Sequence, residues 1–142
     1  MYVVDANVLL YAINTDSAHH ARARTWLDGS LAGTESVGFA WAVLLAFLRL
    51  STSRAIFERP LTADEAISVV RIWLASSAAV IVEPGPRHLG SMASMLVEAG
   101  TAGNLVGDAH LAALAIEEDA TLVSFDTDFA RFAGLRWEQP PA

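Results

Sequence analysis

The chain has 142 residues, enough for one compact domain with a real core; 54% of them are apolar, with a mean hydropathy of +0.39. Net charge is −7 and all nine basic residues are arginine, so non-specific nucleic-acid binding is disfavoured, because phosphate affinity comes mainly from basic side chains that release counterions. Cysteine is absent, which excludes disulfides and thiolate metal sites, and the longest apolar run, Phe39 to Leu48, is about half of the roughly 20 residues a membrane span needs.

Tyr2, Val3 and Val4 begin a short apolar strand that ends at Asp5, and Asn7 to Ile13 (NVLLYAI) reads as a helix. Ser17 is placed to cap a second helix running through Ala21, Trp26 and Leu27 to Leu31. Ser36 to Phe39 reads as the second strand, and Trp41 to Leu50 (WAVLLAFLRL), apolar almost all round, as a buried helix. Thr62 and Glu65 form an S/T-x-x-E capping box, behind which Ala66, Val69, Val70, Trp73 and Leu74 recur at helical spacing. Ala79 to Val82 is a short strand bounded by Pro84-Gly85-Pro86; a helix from Arg87 to Glu98 and a loop from Ala99 to Asn104 follow. Asp108 to Glu118 is helical, with Ala109, Ala112, Ala113 and Ile116 on one face. Thr121 to Phe125 is the next strand, Asp128 to Phe132 a short helix, and Arg136 to Glu138 a last edge strand. No repeat or linker divides the chain, so residues 1–142 form a single domain.

Short apolar strands alternating with helices predict an α/β protein with a buried parallel sheet, in which ligands bind outside the carboxyl ends of the strands. Asp5 and Asp126 each stand at such an end. With Asp108 and Asp128 they form a candidate acidic site, and Asn7 and Ser124 are its polar neighbours. Taken singly, each acid has a plainer role: Asp126 or Asp128 caps the short helix, Asp108 complements a helix dipole, and Asp5 caps NVLLYAI. Their coincidence carries the weight, since three separated segments bring acids to one sheet edge in a chain with only eight aspartates. Clustered carboxylates repel unless a cation or proton intervenes. Hard oxygen donors suit Mg²⁺, with Mn²⁺ as a substitute, and such an ion lowers the pKa of a bound water and stabilises charge on a phosphodiester.

VVDANVLLYA at the start, WAVLLAFLRLST in the middle and GNLVGDAHLAALAIEEDATLVSFDTDFARF near the end resemble a PIN domain, most closely the VapC-type toxins of toxin–antitoxin systems. The likeness covers nearly the whole chain. It implies a three-layer α/β/α fold with a central, mainly parallel sheet of four to five short strands. It also implies a metal-dependent endoribonuclease that cuts a structured RNA such as a tRNA or ribosomal RNA loop, and a small antitoxin that silences it. Asp5, Asp108, Asp126 and Asp128 match the family's metal-binding acids, and Asn7 and Ser124 their polar neighbours. One position departs: where the family has glutamate in an E-x-L-x-x-x-T segment, this chain has Ala46 at the head of AFLRLST. The expectation is retained activity with a demand for more metal.

The remaining candidates are weaker. His19-His20 are adjacent and cannot share a helix face; His110, two residues beyond Asp108, is expected to point away from it, and His88 has no visible partner. Neither Ser17 nor Ser124 has a histidine partner for nucleophilic catalysis, and GTAGN (Gly100 to Asn104) lacks the ending of a phosphate-binding loop. Arg49, Arg54 and Arg59, which follow the buried helix, are candidate RNA contacts, with ordinary solvated roles as the alternative. The high apolar content predicts surface covered by another subunit, and the N-terminus lacks the basic segment of a signal peptide, so a cytoplasmic homodimer is expected. Two other functions compete: a PIN-like binding module working through protein partners, motivated by Ala46 and the acidic charge, and an aspartyl phosphotransfer domain. The second lacks both the second acid of a D-x-D loop and any lysine to hold a phosphoryl group.

Overall fold

The computed structural model describes residues 1–142. Five short strands, β1 (Tyr2–Val4), β2 (Val37–Ala40), β3 (Ala79–Val82), β4 (Thr121–Val123) and β5 (Arg136–Glu138), form one sheet in the order β3-β2-β1-β4-β5. Every pairing is parallel. The helices are α1 (Ala6–Ile13), α2 (His20–Leu31), α3 (Trp41–Ser51), α4 (Ala63–Leu74), α5 (His88–Ala99) and α6 (Leu105–Glu117). Packing of α1 with α2 and α3, and of α3 with α4, makes one helical layer; α5 and α6 pack on each other as the other. The architecture is therefore the expected three-layer α/β/α sandwich, with all five strands parallel.

Val3, Val4, Val37, Phe39, Leu122 and Val123 are fully buried, which is why these strands read as unbroken apolar runs. The buried face of α3 supplies Val43, Leu44 and Phe47, and Phe47 meets Trp73 of α4 edge to face at 4.9 Å. The Thr62–Glu65 capping box is formed, each side chain accepting from the other's backbone N–H. Gly38 in β2 is required by close approach, since an added Cβ would stand 2.9 Å from Val82 Cγ1 and 3.1 Å from the Tyr2 carbonyl oxygen.

Several boundaries differ from expectation, each for a local reason. The second helix starts at His20, because the Ser17 hydroxyl accepts from His19 N and closes a turn ahead of it rather than capping it. The penultimate helix starts at Leu105, three residues before Asp108, because Asn104 ends the loop and Gly107 does not interrupt the helix. Strand β4 stops at Val123, because Ser124 and Phe125 are drawn into side-chain hydrogen bonds described below. The last short helix is a 3-10 segment, Thr127–Arg131.

Candidate active site

In the register of β1 and β4, Val4 pairs with Val123, so Asp5 and Ser124 leave the sheet side by side. The Asp5 N–H donates to the Val123 carbonyl at 3.0 Å, extending the pairing by one rung. Asp5 then caps α1, with Oδ1 accepting from Ala6 N at 2.7 Å. Its other oxygen, Oδ2, accepts from Ser124 Oγ at 2.7 Å and from Asn7 Nδ2 at 3.3 Å. Asn7 Nδ2 also donates to Ser124 Oγ at 3.0 Å, and Asn7 Oδ1 accepts from Phe125 N at 3.1 Å. Asp5 is thus the helix cap of its plainer reading and also the anchor of a network spanning the length of the chain.

Asp126 follows at once. Its N–H donates to Ser124 Oγ at 3.0 Å, and its Oδ1 accepts from Asp128 N at 2.9 Å, so it caps the 3-10 segment. Asp126 is half-buried, whereas Asp128 is exposed and lies 3.7 Å from Arg131. Asp108 reaches the same edge from the first turn of α6. Burial first, then the charges of Asp126, Asp5 and Asp128, push its carboxyl up to about 6, with Arg131 opposing them. The Asp5 carboxyl is also raised, by burial first, against its hydrogen bonds from Ser124 and Ala6, with Asp126 adding repulsion. The four predicted aspartates therefore form one electrostatic unit, with Asn7 and Ser124 as its inner braces.

No three acidic or histidine side chains stand in ready-made coordination geometry. The donor set nonetheless suits a hard divalent cation: oxygen ligands only, partly desolvated, and mutually repelling until a positive charge enters. Among the arginines, Arg131 acts on Asp108. Arg49 lies in the last turn of α3 and Arg54 just beyond it, while Arg59 lines a cavity with Asn14 and Asp16 at the far end of α1 from Asp5. Ala46 is half-buried on α3.

One cluster escaped the sequence reading. His88, nearly buried at the start of α5, has two partners: Nδ1 lies 2.8 Å from Glu117 Oε2, and Nε2 lies 2.8 Å from His110 Nδ1. His110 has its pKa lowered by burial and by His88, against Glu117. The i to i+7 spacing of His110 and Glu117 on α6 puts both near one face, a signal that gains meaning only once α5 is known to cross it.

The PIN domain signature matches residues 2–135, and the chain belongs to the PIN-domain family. Within it the similarity is to VapC ribonucleases. The chain is 57% identical to Ribonuclease VapC37 of Mycobacterium tuberculosis over 142 residues, covering 100% of this chain and 99% of that one. It is 41% identical to Ribonuclease VapC33 of the same species over 140 residues, covering 99% and 98%. Among solved structures, VapBC2 of Rickettsia felis, bound to a DNA fragment from its promoter, superposes with a TM-score of 0.71 at 24% identity, covering 97% of each chain. Mycobacterium tuberculosis VapC20, described as a sarcin-ricin loop cleaving toxin, superposes with a TM-score of 0.68 at 19% identity, covering 96% and 99%. These last two likenesses concern the fold.

Proposed function

We propose that this chain is a Mg²⁺-dependent endoribonuclease, the toxin of a type II toxin–antitoxin pair, that cleaves a structured RNA loop such as one in tRNA or ribosomal RNA. The observation that carries this reading is the electrostatic unit of Asp5, Asp108, Asp126 and Asp128, in which burial first and the repulsion of the other three acids second raise Asp108 to about 6. When bound, Mg²⁺ or Mn²⁺ would supply an activated water and neutralise charge on the phosphodiester. The chain's own part is to hold the donors. Asn7 and Ser124 fix Asp5 in one orientation, and Ser124 together with the Asp128 N–H fixes Asp126. Asp108 approaches from the opposite helical layer. Exposed Arg49, Arg54 and Arg59, at the far ends of α1 and α3 from the acids, would meet RNA that extends beyond the acidic edge rather than the scissile bond itself.

The sarcin-ricin description of VapC20 supports a looped RNA as the substrate class. The VapBC neighbours support an antitoxin partner. Exposed apolar side chains, with Leu45 at 58%, Ile72 at 71% and Val97 at 80%, support a covered surface and hence a homodimer as well as an antitoxin seat. No helix is long and apolar enough to cross a membrane, and a cytoplasmic location fits an enzyme acting on tRNA or ribosomal RNA.

A magnesium titration by calorimetry, paired with cleavage of total RNA, tests the proposal. Wild type is expected to bind Mg²⁺ and cut, while Asp5→Asn and Asp126→Asn each lose more than about 100-fold in cleavage and no longer arrest growth. In the same titration Ala46→Glu is expected to lower the metal concentration needed for half-maximal cleavage. A wild-type protein that folds but neither binds Mg²⁺ nor cuts RNA would favour the second reading, a binding module acting through protein partners, which Ala46 motivates.

A further inference from the structure

The histidine cluster between α5 and α6 opens onto the same sheet edge as the aspartates. With both imidazoles uncharged, its hydrogen bonds set one proton order. Ionised Glu117 can only accept, so His88 Nδ1 carries the proton it donates. In a neutral imidazole the other nitrogen is then bare, and His88 Nε2 accepts from His110 Nδ1. That leaves His110 Nε2 bare in turn. This nitrogen has no protein partner, and it is not among the buried unpaired atoms, of which Ser51 Oγ is the single case. It is an accessible acceptor whose tautomer is set from behind by two residues.

His110 lines a cleft of about 380 Å³ between the carboxyl ends of β2 and β3 and helix α6. Trp41, the first residue of α3 and 51% exposed, lines the same cleft with Ala40 and Glu83. Its indole has no aromatic partner within the chain, unlike Trp26 and Trp73. An exposed aromatic beside an oriented acceptor is what an unstacked nucleotide requires: a face for the base and a partner for a sugar hydroxyl. The cleft and the acidic site both lie at the carboxyl edge of the same sheet, with Asp108 and His110 in the first two turns of α6.

We infer that this cleft is a nucleotide subsite in which a base stacks on Trp41 and the ribose 2′-hydroxyl donates to His110 Nε2, so that the cleft tells RNA from DNA. The inference rests on the ribonuclease reading and names how that site selects its sugar. His110 is the contact; His88 and Glu117 are positioning residues that hold its tautomer.

Binding of the end-labelled pentanucleotides r(U)5 and d(U)5, followed by fluorescence anisotropy in EDTA at low salt, tests it apart from the metal chemistry. Wild type is expected to prefer r(U)5 by about fivefold, the size of one net hydrogen bond. His110→Phe and His88→Leu should bring the preference to unity, whereas Glu117→Gln, which keeps an acceptor for His88, should retain it. Trp41→Ala, at an exposed position that leaves the core intact, should weaken both ligands about tenfold with the ratio unchanged. The subsite is overturned if wild type binds both sugars alike, if the preference survives His110→Phe, or if Trp41→Ala binds as wild type. It is also overturned if His110→Phe weakens both ligands equally, which would assign the donor to the base. Cleavage of total RNA with Mg²⁺ is scored in parallel. Cutting without sugar preference sinks the subsite alone; neither cutting nor binding of r(U)5 sinks the ribonuclease reading with it.

Discussion

The Ser124 hydroxyl is used to capacity: it donates to Asp5 and accepts from Asn7 Nδ2 and the Asp126 N–H, with no exposure to solvent. A small hydroxyl residue is needed there for that reason, and it needs no histidine because it orients rather than attacks. Asp108 is the titrating residue of the site. Its folded pKa, about 6, lies above the 3.8 of an unperturbed aspartate, so between these the folded state holds a proton that the unfolded chain releases. The stabilisation is therefore complete below about pH 4 and lost as pH rises through 6. In EDTA, Asp108→Asn should flatten the fall in unfolding free energy between pH 4.5 and 7 by on the order of 1 kcal/mol, discounted because the carboxyl is only partly buried. Thermal melts of the two proteins across that range check it; parallel curves would remove Asp108 as the source. Added Mg²⁺ should restore stability mainly above pH 6, where the carboxylate is free to bind.

At the scale of elements, Asp5 and Asp126 were legible because the apolar runs of β1 and β4 stop at polar residues on the carboxyl edge, and Asp108 because it heads an apolar helix. The true end of β4 and the start of α6 were not, because the hydrogen bond that Asn7 Oδ1 accepts from Phe125 N and the tolerance of Gly107 within a helix decide them. Nor was the His88–His110–Glu117 pin, which joins residues 22 and 29 positions apart and exists only after α5 packs on α6. The arginine candidates illustrate a further limit: proximity to a helix in sequence did not reveal Arg131 as the arginine acting on Asp108. Strand β2 carries the fold's tightest constraint. Gly38→Ala should destabilise by about 1–3 kcal/mol, since the Tyr2 carbonyl in the neighbouring strand must yield along with Val82, and a urea melt measures it. An unchanged midpoint would show that the sheet relaxes freely there.

The whole molecule carries −7 yet is proposed to act on a polyanion, so its few free cations matter. Arg49, Arg54 and Arg59 are exposed and make no ion pair. Replacing all three by glutamine should raise KM for RNA and reduce the slope of log KM against log salt by about 0.7 for each phosphate contact removed, leaving Mg²⁺ affinity unchanged. An unaltered KM would show that RNA does not reach that end of α3.

The hydrogen bonds that seat Asp5 against Ser124 join the first strand to the fourth across 119 positions of sequence. A ribosome making this protein releases Asp5 early and Asp126 near the end, so for most of its synthesis the chain lacks half of the acidic site. On the proposed reading, the nuclease site is complete only once the chain has been made past Asp128, which leaves an antitoxin time to be waiting for it.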